Sequence, residues 1–166
     1  YMIKGGLWDG YNYYQLYKEA YTPWEWQKAL KEKCEEVGVD FLSTPFDPTA
    51  VDFLEGLGVE FYKIASFELV DIPLIEYVAG KGKPIVMSCG MGSVEEIEEA
   101  LDACRRQKNE NIVLLKCCSQ YPAKFEDMNI SVIPDMQKRF GKPVGLSDHS
   151  FGSLAPVVAV SLGAKV

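Results

Sequence analysis

His149 is the only histidine among 166 residues, and it lies in Gly145-Leu146-Ser147-Asp148-His149-Ser150, where an apolar run gives way to small and polar residues. A histidine at such a transition can ligate a metal, move a proton or tie down a loop, and the hexapeptide alone does not choose among these. Other reactive side chains occupy the same kind of position. Ser43-Thr44, Lys63 with Ser66, Ser88 and Lys116 each end an apolar run. Lysine supplies charge and the hydroxyls supply neutral donors, which together suit phosphate or carboxylate oxygens. Two lysines facing one mouth with these hydroxyls make an anion site the expectation, although each lysine alone can equally snorkel out of a core.

Glu68 follows Ser66 and can contact a sugar hydroxyl, serve as an acid or base, or remain a solvated loop acid. The segment Ser88-Cys89-Gly90-Met91-Gly92-Ser93 lets backbone N–H groups approach a ligand at the start of a helix, but it is neither a Walker A loop nor a dinucleotide fingerprint. Tyr121-Pro122, after Ser119, can line a substrate wall or simply make a turn. The five cysteines form no C-x-x-C pair, and no second histidine exists to activate one, so they are expected to be structural and reduced.

These residues need elements to position them. Residues 1 to 21 are rich in tyrosine and tryptophan without a clean period, which predicts loop and a short helical piece. Thr22-Pro23-Trp24-Glu25 reads as N-cap, N1 proline and capping-box glutamate, opening a helix whose face carries Trp26, Ala29, Leu30, Cys34 and Val37 and which ends at Gly38. Strands are then predicted at 39–44, 60–65, 84–88, 111–116 and 142–146. Helices follow from Asp47-Pro48 (Val51, Leu54 and Leu57 inward), Asp71 (Leu74, Ile75, Val78) and Ser93 with Glu96 (Ile97, Ala100, Leu101, Cys104), and then near 131–140 and 152–162. Gly163 to Val166 begins a sixth strand. Apolar strands alternating with amphipathic helices mean βα units and a parallel sheet. A doubly wound sheet and a (β/α)8 barrel both fit. Polar residues at every strand end favour the barrel, where the C-terminal ends of many strands surround one site. Five to six units do not close eight strands, so an incomplete barrel is expected.

Hydrophobic residues make up 48% of the chain and the net charge is -7, so a single ordinary core is expected and a nucleic-acid or anionic-membrane surface is not. No apolar run reaches a membrane span and no signal peptide is evident, which together with the reduced cysteines predicts a cytoplasmic protein.

Five blocks, in order, resemble the sialic acid synthase family: Ser43-Thr44-Pro45-Phe46-Asp47, Lys63-Ile64-Ala65-Ser66-Phe67-Glu68, Lys83-Pro84 through Met91, Leu114 through Pro122, and Gly145 through Ser150. Leu7-Trp8-Asp9-Gly10 and Tyr21 through Trp26 look most like its pseudaminic acid branch. The resemblance implies that residues 1–166 are the central part of one TIM-barrel synthase domain, without its first and last strands and without a C-terminal antifreeze-like domain. It implies condensation of phosphoenolpyruvate with 2,4-diacetamido-2,4,6-trideoxy-altrose. Thr44, Lys63, Ser66, Ser88, Ser119 and Ser147 would hold phosphoenolpyruvate, with Ser119 standing where the sialic acid branch often has Asn. Glu68 and Tyr121 would face the sugar. His149 would be one of two histidine ligands to manganese, magnesium or cobalt, the second lying beyond Val166, so this piece alone is expected to be inactive. Lys63, Glu68 and His149 would be the catalytic set, and the full-length protein a homodimer. Cys89 and Cys118 stand where the family commonly has Thr. The alternatives are an N-acetylneuraminate or legionaminate synthase of the same chemistry, a Schiff-base aldolase using Lys63 or Lys116, and a non-catalytic sugar-binding paralogue.

Overall fold

The structure is a computed structural model that describes residues 1–5 and 8–166, so Leu7 of the Leu7-Trp8-Asp9-Gly10 block lies outside the described residues. The chain divides into two compact units, 1–41 and 42–166.

In the first unit, the N–H of Ile3 donates to the Tyr11 carbonyl at 2.8 Å and Met2 bridges Asn12. Helix α1 (Tyr13–Ala20) follows, its Asn12 side chain accepting from the Gln15 N–H. Helix α2 (Trp24–Val37) begins one residue later than its sequence predicts. Pro23 holds an extended ψ of 138° and is itself the N-cap, without a side-chain cap. Glu25 therefore falls at N2, and the expected Thr22–Glu25 capping box does not form, because that box needs its acid at N3. Gly38 closes α2 at φ 74°, its N–H donating to Cys34 and Glu35. The predicted inward face of α2 is not buried: Trp26, Leu30 and Val37 remain exposed.

The second unit carries a parallel sheet of four strands, β1 (Tyr62–Ile64), β2 (Ile85–Ser88), β3 (Ile112–Cys117) and β4 (Val144–Ser147), in the order β1-β2-β3-β4. Helices α3 (Pro48–Gly56), α4 (Ile72–Ala79), α5 (Val94–Arg106), α6 (Ile133–Phe140) and α7 (Leu154–Ser161) flank these strands in sequence. Strand order that follows chain order without reversal is the barrel pattern rather than the doubly wound one. Residues 39–44 join none of the described ladders, contrary to their strand-like composition. Such composition records fit to a pleated, half-buried surface, and no described strand pairs with this segment. Gly163 to Val166 meets the sixth-strand expectation in part, since the Lys165 N–H donates to Val144 and the Leu146 N–H to Val166, both at 2.9 Å.

Helix starts follow local chemistry. Asp47 accepts from Thr49 and Ala50, Asp71 from Leu74, and Ser93 and Glu96 form both halves of a capping box. Each such cap contributes about 1 kcal/mol. Val51, Leu54, Leu74, Ile75, Val78, Ile97, Ala100, Leu101 and Cys104 are buried, whereas Leu57 is half-buried at the end of α3.

The ladder register separates two faces of the sheet. The Tyr62 hydroxyl donates to Glu55 of α3 at 2.6 Å, which marks the helix-covered face. Alternation and register add Ile64, Ile85, Met87, Ile112, Leu114 and Val144 to it, all at most 2% exposed. Burying each such side chain contributes on the order of 1.5–3 kcal/mol. Lys63, Val86, Ser88, Val113, Leu115, Cys117, Gly145 and Ser147 share the opposite face, which is the interior face of a barrel.

Candidate active site

The C-terminal ends of β1 to β4 converge on a pocket of about 70 Å³. Lys63, Ser66, Ser88, Ser119, Tyr121, Ser147 and His149 line it, together with Ala65, Phe67 and Cys117. Seven of the nine residues singled out from the sequence thus meet in one place. Thr44 does not line this pocket, and Glu68 stands just behind it in the 3-10 turn Ser66–Val70 that follows β1.

Lys116 corrects one expectation. Its register partner is Leu146, so it projects to the face opposite Lys63, and its ammonium donates to the Cys117 carbonyl at 3.0 Å. One lysine, not two, enters this pocket. The cause is the period of two along β3, which puts Cys117 where a second pocket lysine would have to be.

Burial pushes the Lys63 ammonium below its ordinary value, while the neighbouring Cys117 and Glu68 pull it back up. Burial likewise raises the Glu68 carboxyl and Asp71 adds to that, against its own backbone N–H and Lys63. Desolvation opposes charge in both groups, and each partly offsets it for the other. Glu68 Oε2 and Ser88 Oγ are buried with no hydrogen-bond partner among the described residues. Buried polar atoms of this kind are costly unless something satisfies them, and here they lie in and beside a pocket already lined with donors.

Two groups are placed by local chemistry. The Gly90 N–H donates to Ser66 Oγ at 3.1 Å, tying the glycine loop after β2 to the end of β1. The His149 ring packs on Tyr121 with centroids 4.2 Å apart, and its Nδ1 lies 2.9 Å from the Cys118 carbonyl oxygen. A carbonyl only accepts, so Nδ1 carries the proton in this bond and Nε2 keeps its lone pair. That is the tautomer a metal-ligating histidine uses. His149 therefore fits a metal as one ligand, although no group of three His, Cys, Asp or Glu side chains among the described residues could hold an ion by itself.

Cys89 and Cys104 are not activated nucleophiles. Burial pushes the Cys89 thiol up to about 12 and the Cys104 thiol up to about 11. Cys117 sits in the pocket wall, its sulfur 3.8 Å from Ser119 Oγ and 4.0 Å from His149 Nδ1.

The sequence reading missed two contributors. Cys117 belongs to the wall because it pairs with Ser147 in the ladder. Gly90 was visible only as part of a permissive loop, yet a Cβ there would lie 2.5 Å from Ser119 Oγ and 2.8 Å from Ser66 Oγ.

Comparison with known proteins agrees with this geometry. The chain is 45% identical over its whole length to the pseudaminic acid synthase of Helicobacter pylori, covering 49% of that protein. It is 36% identical to the N,N'-diacetyllegionaminic acid synthase of Legionella pneumophila over 92% of this chain and 44% of that one. The crystal structure of N-acetylneuraminic acid (sialic acid) synthetase from Leptospira borgpetersenii in complex with citrate superposes with a TM-score of 0.86 at 36% identity, over 91% of this chain and 53% of that one. The chain spans about half the length of the curated relatives it matches. With the NeuB family model matching residues 1–166, the ordered strand-end blocks and the barrel-type sheet find one explanation: the chain belongs to the NeuB family.

Proposed function

We propose that this chain forms the anion-binding side of a nonulosonic acid synthase, which joins phosphoenolpyruvate to an amino sugar in its open-chain form. The observation that carries this reading is the convergence of Lys63, Ser66, Ser88, Ser119 and Ser147 on one pocket with Tyr121 and His149. One cation and four hydroxyls match a ligand bearing phosphate and carboxylate. Thr44, off the pocket in this structure, is kept as a further contact for that ligand on the family resemblance alone. The relative with citrate bound shows that a neighbouring fold of this family holds a multiply charged carboxylate.

In the reaction, C3 of phosphoenolpyruvate forms a bond to the aldehyde carbon of the sugar, whose oxygen gains a proton. Water adds at C2, and phosphate leaves by C–O cleavage to give a 2-keto-3-deoxy acid. Lys63 offsets anionic charge on phosphoenolpyruvate from a partly desolvated position, where its charge acts more strongly than in water. Glu68, shifted towards its protonated form by burial, is suited to give a proton or hydrogen bond to a sugar oxygen. Tyr121 would pack against the sugar. His149 would hold a divalent ion (manganese, magnesium or cobalt) through Nε2, with its other ligands outside the described set. Such an ion, when bound, supplies Lewis acidity at the aldehyde oxygen.

Within this reading, the sugar assigned is 2,4-diacetamido-2,4,6-trideoxy-altrose and the product pseudaminic acid. The relative at 45% identity over the whole chain supports that branch, and the full-length enzyme would act as a cytoplasmic homodimer. The legionaminic acid relative at 36% keeps the sister substrate as the second reading. Phosphate release by the full-length protein, with manganese, phosphoenolpyruvate and each sugar in turn, decides between them. Release with the altrose derivative is expected. Turnover with N-acetylmannosamine instead would overturn the branch, and release with no sugar of this class would point to a non-catalytic paralogue.

A further inference from the structure

The glycine loop Ser88–Ser93 does more than bridge β2 and α5. Gly90 lies between the ends of β1 and β3, and it is buried. Its N–H donates to Ser66 Oγ, which fills an acceptor site on that hydroxyl. No described acceptor takes the Ser66 proton, so it is free to point at whatever occupies the pocket. The side-chain position of Gly90 is equally specific. An added Cβ would sit 2.5 Å from Ser119 Oγ, 2.8 Å from Ser66 Oγ and 3.3 Å from Cys117 Cβ. All three of those residues line the pocket, so the missing Cβ marks the point where its hydroxyls converge. A buried hydroxyl without a described partner, Ser88 Oγ, stands two residues before it. The next residue, Met91, holds φ at 65°, a conformation that a side-chain-bearing residue adopts at a cost of about 1 kcal/mol or more. Strain at that point is accounted for if the loop must present Gly90 in this one orientation.

We propose that Gly90 is a positioning residue of the anion pocket. Its N–H sets Ser66 as a hydroxyl donor, and its lack of a Cβ lets the Ser66 and Ser119 hydroxyls close in over its Cα, where both can be offered to one phosphorylated carboxylate. This rests on the phosphoenolpyruvate reading above and adds a residue to it. A methyl group at Gly90 pushes both hydroxyls off their positions. The sugar end of the site, at Tyr121 and His149, is left alone.

The test uses the full-length protein, with Gly90→Ala, Ser119→Ala and the double variant. Ser119→Ala removes the closer of the two clashing oxygens, so the double variant keeps the test alive if Gly90→Ala alone does not fold. The expected result is that Gly90→Ala raises KM for phosphoenolpyruvate at least tenfold while KM for the sugar changes less than twofold. The double variant folds and still binds phosphoenolpyruvate at least tenfold more weakly than Ser119→Ala, measured by calorimetry without sugar. Equal effects on both substrates, or a double variant that binds like Ser119→Ala, would overturn the proposal. Calorimetry also separates the two readings. Tight, Gly90-dependent phosphoenolpyruvate binding without turnover would remove the synthase reading and keep the pocket, and turnover with a Gly90-independent KM would do the reverse.

Discussion

The Nδ1 atom of His149 lies 2.9 Å from the carbonyl oxygen of Cys118, at the end of the neighbouring strand β3. A backbone carbonyl so placed does two things at once. It fixes the ring orientation, and it assigns the lone pair to Nε2. The Ala123 N–H returns a hydrogen bond to the His149 carbonyl at 2.8 Å, so the two loops hold each other from both directions.

Replacing His149 by Ala in the full-length protein is therefore expected to abolish manganese-dependent phosphate release and leave the fold standing. The lost side-chain hydrogen bond costs about 0.5–1.5 kcal/mol. Phosphate release with added manganese and with EDTA, beside a thermal melt, checks both halves. Wild-type turnover in the variant would remove the ligand role.

Lys63 should show a conflict between binding and stability. Its folded pKa lies below its unfolded value, so between the two the unfolded chain holds more protons and stability rises with pH. Below that window the full penalty applies. Lys63→Met is expected to stabilise the protein at pH 7 by less than about 1 kcal/mol, since the group is only partly buried, while weakening phosphoenolpyruvate binding by at least tenfold. Urea unfolding and calorimetry at pH 7 read the two effects separately, and a Lys63→Met protein that binds normally would exclude the anion role.

Glu68 has the opposite pH signature. Its folded pKa is raised, so the folded state holds the extra proton and stability falls as pH climbs from the ordinary carboxylate range through the raised value. Glu68→Gln, neutral at every pH, should flatten that decline and at the same time reduce turnover by a hundredfold or more, in keeping with loss of an acid–base group. Urea midpoints between pH 4 and 8 would show the flattening. An unchanged slope would mean that another group causes it.

Thiol reactivity offers a test that needs no substrate. Cys89 and Cys104 are buried with thiols pushed up to about 12 and about 11, whereas Cys34 and Cys118 are half-buried. Iodoacetamide at pH 7.5, followed by peptide mass mapping, should modify Cys34 and Cys118 well before Cys89 and Cys104. Early labelling of Cys89 would contradict its enclosure in the glycine loop.

Much of this molecule is legible from local signals. Asp47, Asp71 and the Ser93–Glu96 pair each mark a helix start because capping is a matter of three or four consecutive residues. Strands β1 to β4 stand out as apolar runs for the same reason. Failures occur where the outcome depends on a partner. Residues 39–44 have strand composition but no described ladder, and the apolar side of α2 stays exposed. Lys116 shows the commonest trap: its place at a strand end is readable, but its face is decided by register, which one strand cannot reveal. The pocket residues were found as types at strand ends, whereas Gly90 was not, since what matters there is an atom it does not have.

The division of the sheet into two faces bears on how such a protein can change. Tyr62, Ile64, Ile85, Met87, Ile112, Leu114 and Val144 lie buried on the helix-covered face, whereas Lys63, Val86, Ser88, Val113, Cys117 and Ser147 look the other way. Neighbouring codons thus answer to different selective demands, one for folding and the next for the pocket. A library confined to Val86 and Val113, two half-buried positions of the inner set that do not line the pocket, could retune ligand preference while leaving the scaffold's folding intact.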